Sequence, residues 1–340
     1  MAATASEETT GERDWLDPEA VQLLEMLQGM PAPDPGDVAG WREMLRLAAP
    51  LAGEAEPIAH VEDRTIPGPA GAIPVRIYRP SDAPSLPCLV YYHGGGWTIG
   101  DLDMADAPLR MLANASGWMV MSVDYRLAPE NPFPAAVEDA FAAVKWAAEH
   151  SAEIGADPAR IAVGGDSAGG NLSAVVCQLA REAGGPGIVL QALIYPATDL
   201  AAATDSWRKY GDKNYILTQE HLDLFTSAYL PHGTDRKDPR ISPMRADELA
   251  GLPRALVITA EFDPLRDEGE AYAARLRESG VPVRLTRYDG MVHGFMTLGG
   301  VLHAGGVAIR EIAGELKNLE RDMAEQDPAF PEHALVHARE

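Results

Sequence analysis

Ser167 stands in Gly165-Asp166-Ser167-Ala168-Gly169, a G-x-S-x-G spacing that follows the apolar run "RIAV" and precedes the helix-forming "NLSAVVCQLAREA". Between a strand and a helix this spacing is a nucleophile elbow, a strained turn that lifts one hydroxyl above the strand edge. Glycine at 165 and 169 leaves room where a Cβ would strike the adjoining strand and helix. The amide of Ala168 opens the helix and points at whatever anion forms beside the serine. A glycine-rich turn that only packs closely, or that holds a phosphate, has the same composition. Partner residues therefore decide between the readings.

A serine hydroxyl is a weak nucleophile at neutral pH and needs a base with an orienting acid. In this architecture the acid precedes the histidine, each on a loop after a later strand. "ALVITAEFDPLRDEG" ends a strand at Asp263, and "VRLTRYDGMVHGF" reaches His293 thirty residues later, room for one helix and one strand. Glu261 and Asp267 are the alternative acids, but the first lies within the strand end and the second in a first helical turn, where it suits the helix dipole. Of the other histidines, His60, His150, His221, His232, His303, His333 and His337 sit at element ends, in an insertion or in the tail, and are expected at the surface.

An attacked carbonyl also needs donors for its oxyanion. "YYHGGGWTIGD" places Gly94, Gly95 and Gly96 in a row after a strand, so their amides, with that of Ala168, are the candidate donors. Losing one such donor typically costs about 3 kcal/mol of transition-state stabilisation. A flexible hairpin turn is the alternative for the three glycines. His93 reads as structural, its ring pinning the loop.

The chain that must position these groups has 340 residues, 46% of them hydrophobic, enough for one large α/β domain with an accessory layer. Its formal charge of -23 repels nucleic acid and anionic membranes and keeps the surface soluble. Cys88 and Cys177, in apolar runs without a CxxC or a Cys/His cluster, are expected to be buried free thiols, with no disulfide framework or metal site. The polar, acidic start "MAATASEETTGERDW" lacks the pattern of a signal peptide, and no apolar run has membrane-spanning length, so a cytoplasmic protein is expected.

"DPEAVQLLEMLQGM" and "VAGWREMLRLAAPLAG" have helical spacing; "EDRTIPG" and "IPVRIYRP", joined at "GPAGA", read as an antiparallel hairpin. From Pro87 onward six short apolar strands alternate with helices, which indicates a mostly parallel sheet covered on both faces and eight strands in all. Residues 200–235 break the rhythm with helical pieces and no strand, as lids and binding loops do. The expected organisation is a helical region over residues 1–55, a core over 56–199 and 236–325, an insertion over 200–235, and a tail over 326–340 that is mobile or docked on another surface.

"HGGGW" at 93–97, "DYRLAPENPFPAAVED" at 124–139, "GDSAGG" at 165–170, "DPLRDEG" at 263–269 and "HGF" at 293–295 together resemble the bacterial hormone-sensitive-lipase-like branch (family IV, GDSAG type) of the α/β-hydrolases. The resemblance covers about residues 55–300 and implies a carboxylesterase on the α/β-hydrolase fold, with Ser167 as nucleophile, Asp263 as acid, His293 as base, and Gly95, Gly96 and Ala168 as oxyanion donors. It further implies a cap made from the N-terminal helices and the insertion, and a homodimer through the last strand and its neighbouring helix. No metal or organic cofactor is required. Candidate pocket residues are Trp97, Asp166, Tyr195, Trp207, Tyr215 and Phe225, with core packing the alternative for each aromatic. Amide, lactone or carbamate hydrolysis uses the same parts, and a receptor that binds without turnover is a further reading. A polar lid, "TDSWRKYGDKN" and "GTDRKD", favours short acyl chains over oil-interface lipids.

Overall fold

The computed structural model describes residues 15–29, 31–34 and 36–326, so the tail beyond residue 326 lies outside it. Eight strands form one sheet: β1 (His60–Gly68), β2 (Gly71–Arg79), β3 (Leu86–Tyr92), β4 (Met119–Val123), β5 (Ala156–Asp166), β6 (Leu190–Ile194), β7 (Arg254–Phe262) and β8 (Val283–Val292). Their order is β1-β2-β4-β3-β5-β6-β7-β8. β1 and β2 form the expected hairpin, with Gly68 opposite Gly71 across a two-residue turn, and β2 meets β4 antiparallel; every later pairing is parallel.

The helices are α1 (Pro18–Gln28), α2 (Val38–Ala48), α3 (Asp106–Ser116), α4 (Ala135–Glu149), the single turn α5 (Ser151–Ile154), α6 (Ala168–Ala183), α7 (Asp205–Tyr210), α8 (Gln219–Tyr229), α9 (Arg266–Glu278) and α10 (His303–Gln326). β3, β4 and β6 are buried along their whole length, which explains their unbroken apolar sequences. One face of the sheet packs on α4, α6 and α9 through residues such as Val144, Val175 and Leu276. The opposite face packs on α3 and α10 through Leu109, Leu112, Ile309 and Leu316. Cys88 and Cys177 are buried free thiols.

The chain leaves β3 toward β4 on one side and returns as β5 on the other. The strand order thus reverses at β3/β5, and a crevice opens outside their carboxyl ends. "HGGG" leaves β3 there and Ser167 leaves β5, side by side. Between β6 and β7 the chain forms α7 and α8 with no strand.

The two N-terminal helices take different places. α1 is tied to the core: Asp17 N–H donates to the Gly290 carbonyl at 3.0 Å, and Ala20 and Leu23 join the α3–α10 side of the core. α2 stands over the crevice. Its Asp37 cap accepts from the Gly40 amide at 2.9 Å, and Trp41, Met44 and Leu45, at i, i+3 and i+4, turn inward together.

Candidate active site

Ser167 has φ 56° and ψ −115°, the left-handed strain that an elbow requires and that costs about 1–3 kcal/mol for a non-glycine residue. The surroundings hold it there. Its amide donates to the Ile194 carbonyl of β6 at 2.8 Å, and its carbonyl accepts from Asn171 N–H at 3.0 Å. The Asn171 side-chain amide donates to the Ala197 and Ile241 carbonyls, both at 2.8 Å, which locks the start of α6. A Cβ at Gly165 would overlap Gly169 and the Tyr92 carbonyl oxygen; one at Gly169 would overlap Tyr92 itself. The close approach of β3, β5 and α6 therefore permits glycine alone at both places.

His293 follows β8, and its Nε2 accepts from the Ser167 hydroxyl at 2.9 Å. Its Nδ1–H donates to Asp263 Oδ2 at 2.7 Å. Asp263, just past β7, is completely buried, and its Oδ1 accepts from the Leu265 amide at 2.9 Å. With Nδ1 carrying the proton for the carboxylate, Nε2 keeps the lone pair that a proton acceptor needs. The alternative acids are committed elsewhere: Glu261 Oε2 accepts from the Gly290 amide at 2.7 Å, and Asp267 Oδ2 from the Ser206 amide at 2.7 Å.

The glycine row divides. Gly94 N–H donates to Asp166 Oδ1 at 2.9 Å, so the expectation that it supplies an oxyanion donor is corrected: its hydrogen is already spent. Among the described residues the amides of Gly95, Gly96 and Ala168 donate to no protein acceptor. Gly95 and Gly96 have φ of 115° and 57°, and a Cβ on Gly96 would overlap the Phe225 ring. Asp166 also accepts from Tyr91 Oη–H at 2.8 Å; burial pushes its carboxyl upward, against these two donors and nearby His293. It is therefore a brace for the loop beside the cavity. His93 is structural as expected, stacked on Tyr125 with centroids 4.4 Å apart, and burial lowers its pKa.

Above these groups lies a cavity of about 210 Å³ with largely apolar walls. Trp97, Asp166 and Phe225 line it, and Trp97 stacks on Tyr229 at 4.5 Å. Three candidate pocket residues are corrected. Tyr195 is buried behind the imidazole, ring centroids 4.8 Å apart. Trp207 turns to the core and donates from Nε1 to Glu268 Oε2 at 3.2 Å. Tyr215 packs edge-on against Phe262. The walls that sequence reasoning missed include Trp41, Met44 and Leu45 of α2 and Ile216 and Leu217 before α8. The helical spacing in "WREML" was the available signal. His221 is a further correction: it faces the cavity, its ring edge-on to Trp41 at 4.8 Å, and burial lowers its pKa.

An elbow at the switch point of a wound sheet, joined by hydrogen bonds to a later histidine and a buried carboxylate, defines an α/β-hydrolase. A family model described as the alpha/beta hydrolase fold matches residues 89–297, and the chain belongs to that family, in its hormone-sensitive-lipase-like branch. It is 54% identical over 250 residues to the carboxylic ester hydrolase LipN of Mycobacterium tuberculosis, a match covering 71% of this chain and 66% of that one. It is 46% identical over 263 residues to the carboxylesterase NlhH of the same organism, covering 75% and 81%. Among solved structures, a hyperthermophilic esterase from Pyrobaculum calidifontis has a TM-score of 0.87 at 46% identity, covering 90% of this chain and 99% of that one.

Proposed function

We propose that this protein is a serine carboxylesterase that hydrolyses short- to medium-chain acyl esters through an acyl-enzyme. The observation that carries the reading is the unbroken line from Ser167 Oγ through His293 to buried Asp263, at 2.9 and 2.7 Å, beside three uncommitted amides. His293 removes the Ser167 proton as the hydroxyl attacks the ester carbonyl. The tetrahedral oxyanion forms against the amides of Gly95, Gly96 and Ala168. The alcohol leaves with the proton from His293, and water repeats the sequence to free the acid. Asp263 holds the imidazole in the needed tautomer and stabilises its charged form. None of these steps calls for a metal or an organic cofactor.

The apolar walls fit the hydrocarbon part of an ester, and a cavity of about 210 Å³ favours short chains. The cap comprises α2, α7 and α8. The chain's -23 charge suits a cytoplasmic enzyme that meets small substrates rather than nucleic acid or a membrane; among the described residues no helix is long and apolar enough to cross one. The edge of β8, which pairs with no further strand among the described residues, is the surface on which a second copy would extend the sheet. Amide, lactone or carbamate bonds are secondary substrates of the same machinery. The receptor reading is disfavoured by His293, which sits at hydrogen-bond distance from the serine.

The test is colour release from p-nitrophenyl butyrate. Ser167→Ala is expected to lower kcat by about 10⁶-fold, and butyrate is expected to be cleaved faster than palmitate. An active alanine variant rejects the assignment, and faster palmitate hydrolysis rejects the chain-length reading.

A further inference from the structure

Beside the catalytic cavity lies a second one, of about 330 Å³, whose lining includes Arg42, Arg46, Asp101, Asp124, Glu130 and Asn131. Its lining mixes aliphatic side chains with a cluster of charged groups. Arg42 forms a two-pronged ion pair with Glu130, both contacts at 2.8 Å, and Arg46 reaches Asp101 at 3.4 Å. Asp124 is half-buried among them, its pKa pushed up to about 6 by burial and by the charges of Asp101 and Asp103. Leu45 of α2 and Met104, two residues before α3, line both cavities. Both are half-buried, and since each lines the two cavities, the pair stands between them.

We propose that Leu45 and Met104 are specificity-determining residues, a two-residue partition that ends the apolar cavity and sets the longest substrate chain it admits. A chain growing from the ester meets two aliphatic side chains and behind them a chamber of charged groups. Entering that chamber would strip water from charged groups, a cost that the apolar contact of Leu127 there offsets only in part. Methionine, unbranched and deformable, lets the wall adjust to the last carbons of a fitting chain. The partition also accounts for a short-chain preference without any change in the catalytic groups. The inference rests on the esterase reading and deepens it.

The experiment measures kcat/KM over two ester series, p-nitrophenyl esters of growing acyl length and alkyl butyrates of growing alcohol length. Wild type, Leu45→Ala, Met104→Ala, the double variant and Met104→Phe are compared. Leu47→Ala, on the same helix but 67% exposed, is the control. The double variant is expected to raise the ratio for eight-carbon over four-carbon chains at least about tenfold in one series, since each accommodated methylene is worth roughly tenfold or more. Met104→Phe is expected to lower that ratio, and Leu47→Ala to leave it unchanged. A ratio unmoved in both series by both the alanine and phenylalanine variants overturns the partition. Wild-type protein inert toward every ester would instead sink the esterase reading, a distinguishable result.

Discussion

The sheet edge that carries Ser167 and the helices above it are built by different means. At the edge, backbone holds backbone: the Ser167 amide is bonded to β6, Asn171 clamps two carbonyls, and Gly165 and Gly169 touch β3 so closely that no Cβ fits. Above, side chains fasten short helices. α2 is secured chiefly by the Arg42 guanidinium, which donates to the Thr98 carbonyl at 3.0 Å, to the Ala128 carbonyl at 2.9 Å and to Glu130, with Arg46 reaching Asp101. α2 meets α8 through Trp41 on His221 and a small cluster with Ile99 and Phe225. The contrast separates the two tasks of an enzyme. Reacting atoms sit on a frame that tolerates almost no displacement, whereas substrate selection is left to elements whose fastenings are few and open to variation.

The sharpest way to break this contrast is at the acid. Asp263→Asn keeps the shape but removes the charge that fixes the His293 tautomer, so kcat is expected to fall about 10⁴-fold with little change in KM. Steady-state kinetics checks this, and a loss under tenfold would detach the carboxylate from the chemistry. Arg42→Ala probes the other side. It strips two backbone carbonyls and Glu130 of their donor and is expected to cost about 1–3 kcal/mol of stability. KM should rise several-fold while kcat stays near wild type. A collapse of kcat comparable to that of Asp263→Asn would erase the distinction between frame and cap.

The smallest effect concerns the joint between the two regions. Glu268 of α9 is buried and accepts from the Thr198 and Asp199 amides at 2.6 and 3.1 Å and from Trp207 of α7. Burial pushes its pKa up to about 8, above an unfolded value of about 4.3. The folded chain therefore keeps this proton longer than the unfolded chain. The stability it contributes is fully present below about pH 4 and declines as pH rises toward 8. Glu268→Gln is expected to flatten the fall of Tm between pH 5 and pH 8, measured by thermal scans in matched buffers. An unchanged slope would mean that the carboxylate ionises freely in the fold.

Much of the frame is legible in the chain itself. The hairpin pattern and the strand–helix alternation together predicted all eight strands, and "DAPLRMLANAS" is helix α3 from its first residue to its last. Ser167, Asp263 and His293 were identifiable because strand ends and glycine turns are local features with strong steric signatures. Less of the site's lining was legible. Gly94 looks like its two neighbours in sequence, and only the approach of Asp166 from β5 removes its amide from use. Trp207 and Tyr215 have the composition of pocket residues, yet the first is drawn to Glu268 and the second to Phe262.

The sequence by itself determined the order of the strands along the chain, the strained turn under the serine and the identity of the three residues that meet there. Each follows from short-range sterics, periodicity or the reach of a strand. Tertiary structure alone decided which side chains wall the cavity, which amides stay uncommitted and that Leu45 and Met104 border two cavities at once. The physical reason is distance along the chain. A helix face acquires its neighbours only after docking, and the docking of α2 depends on carbonyls at Thr98 and Ala128, more than fifty residues away.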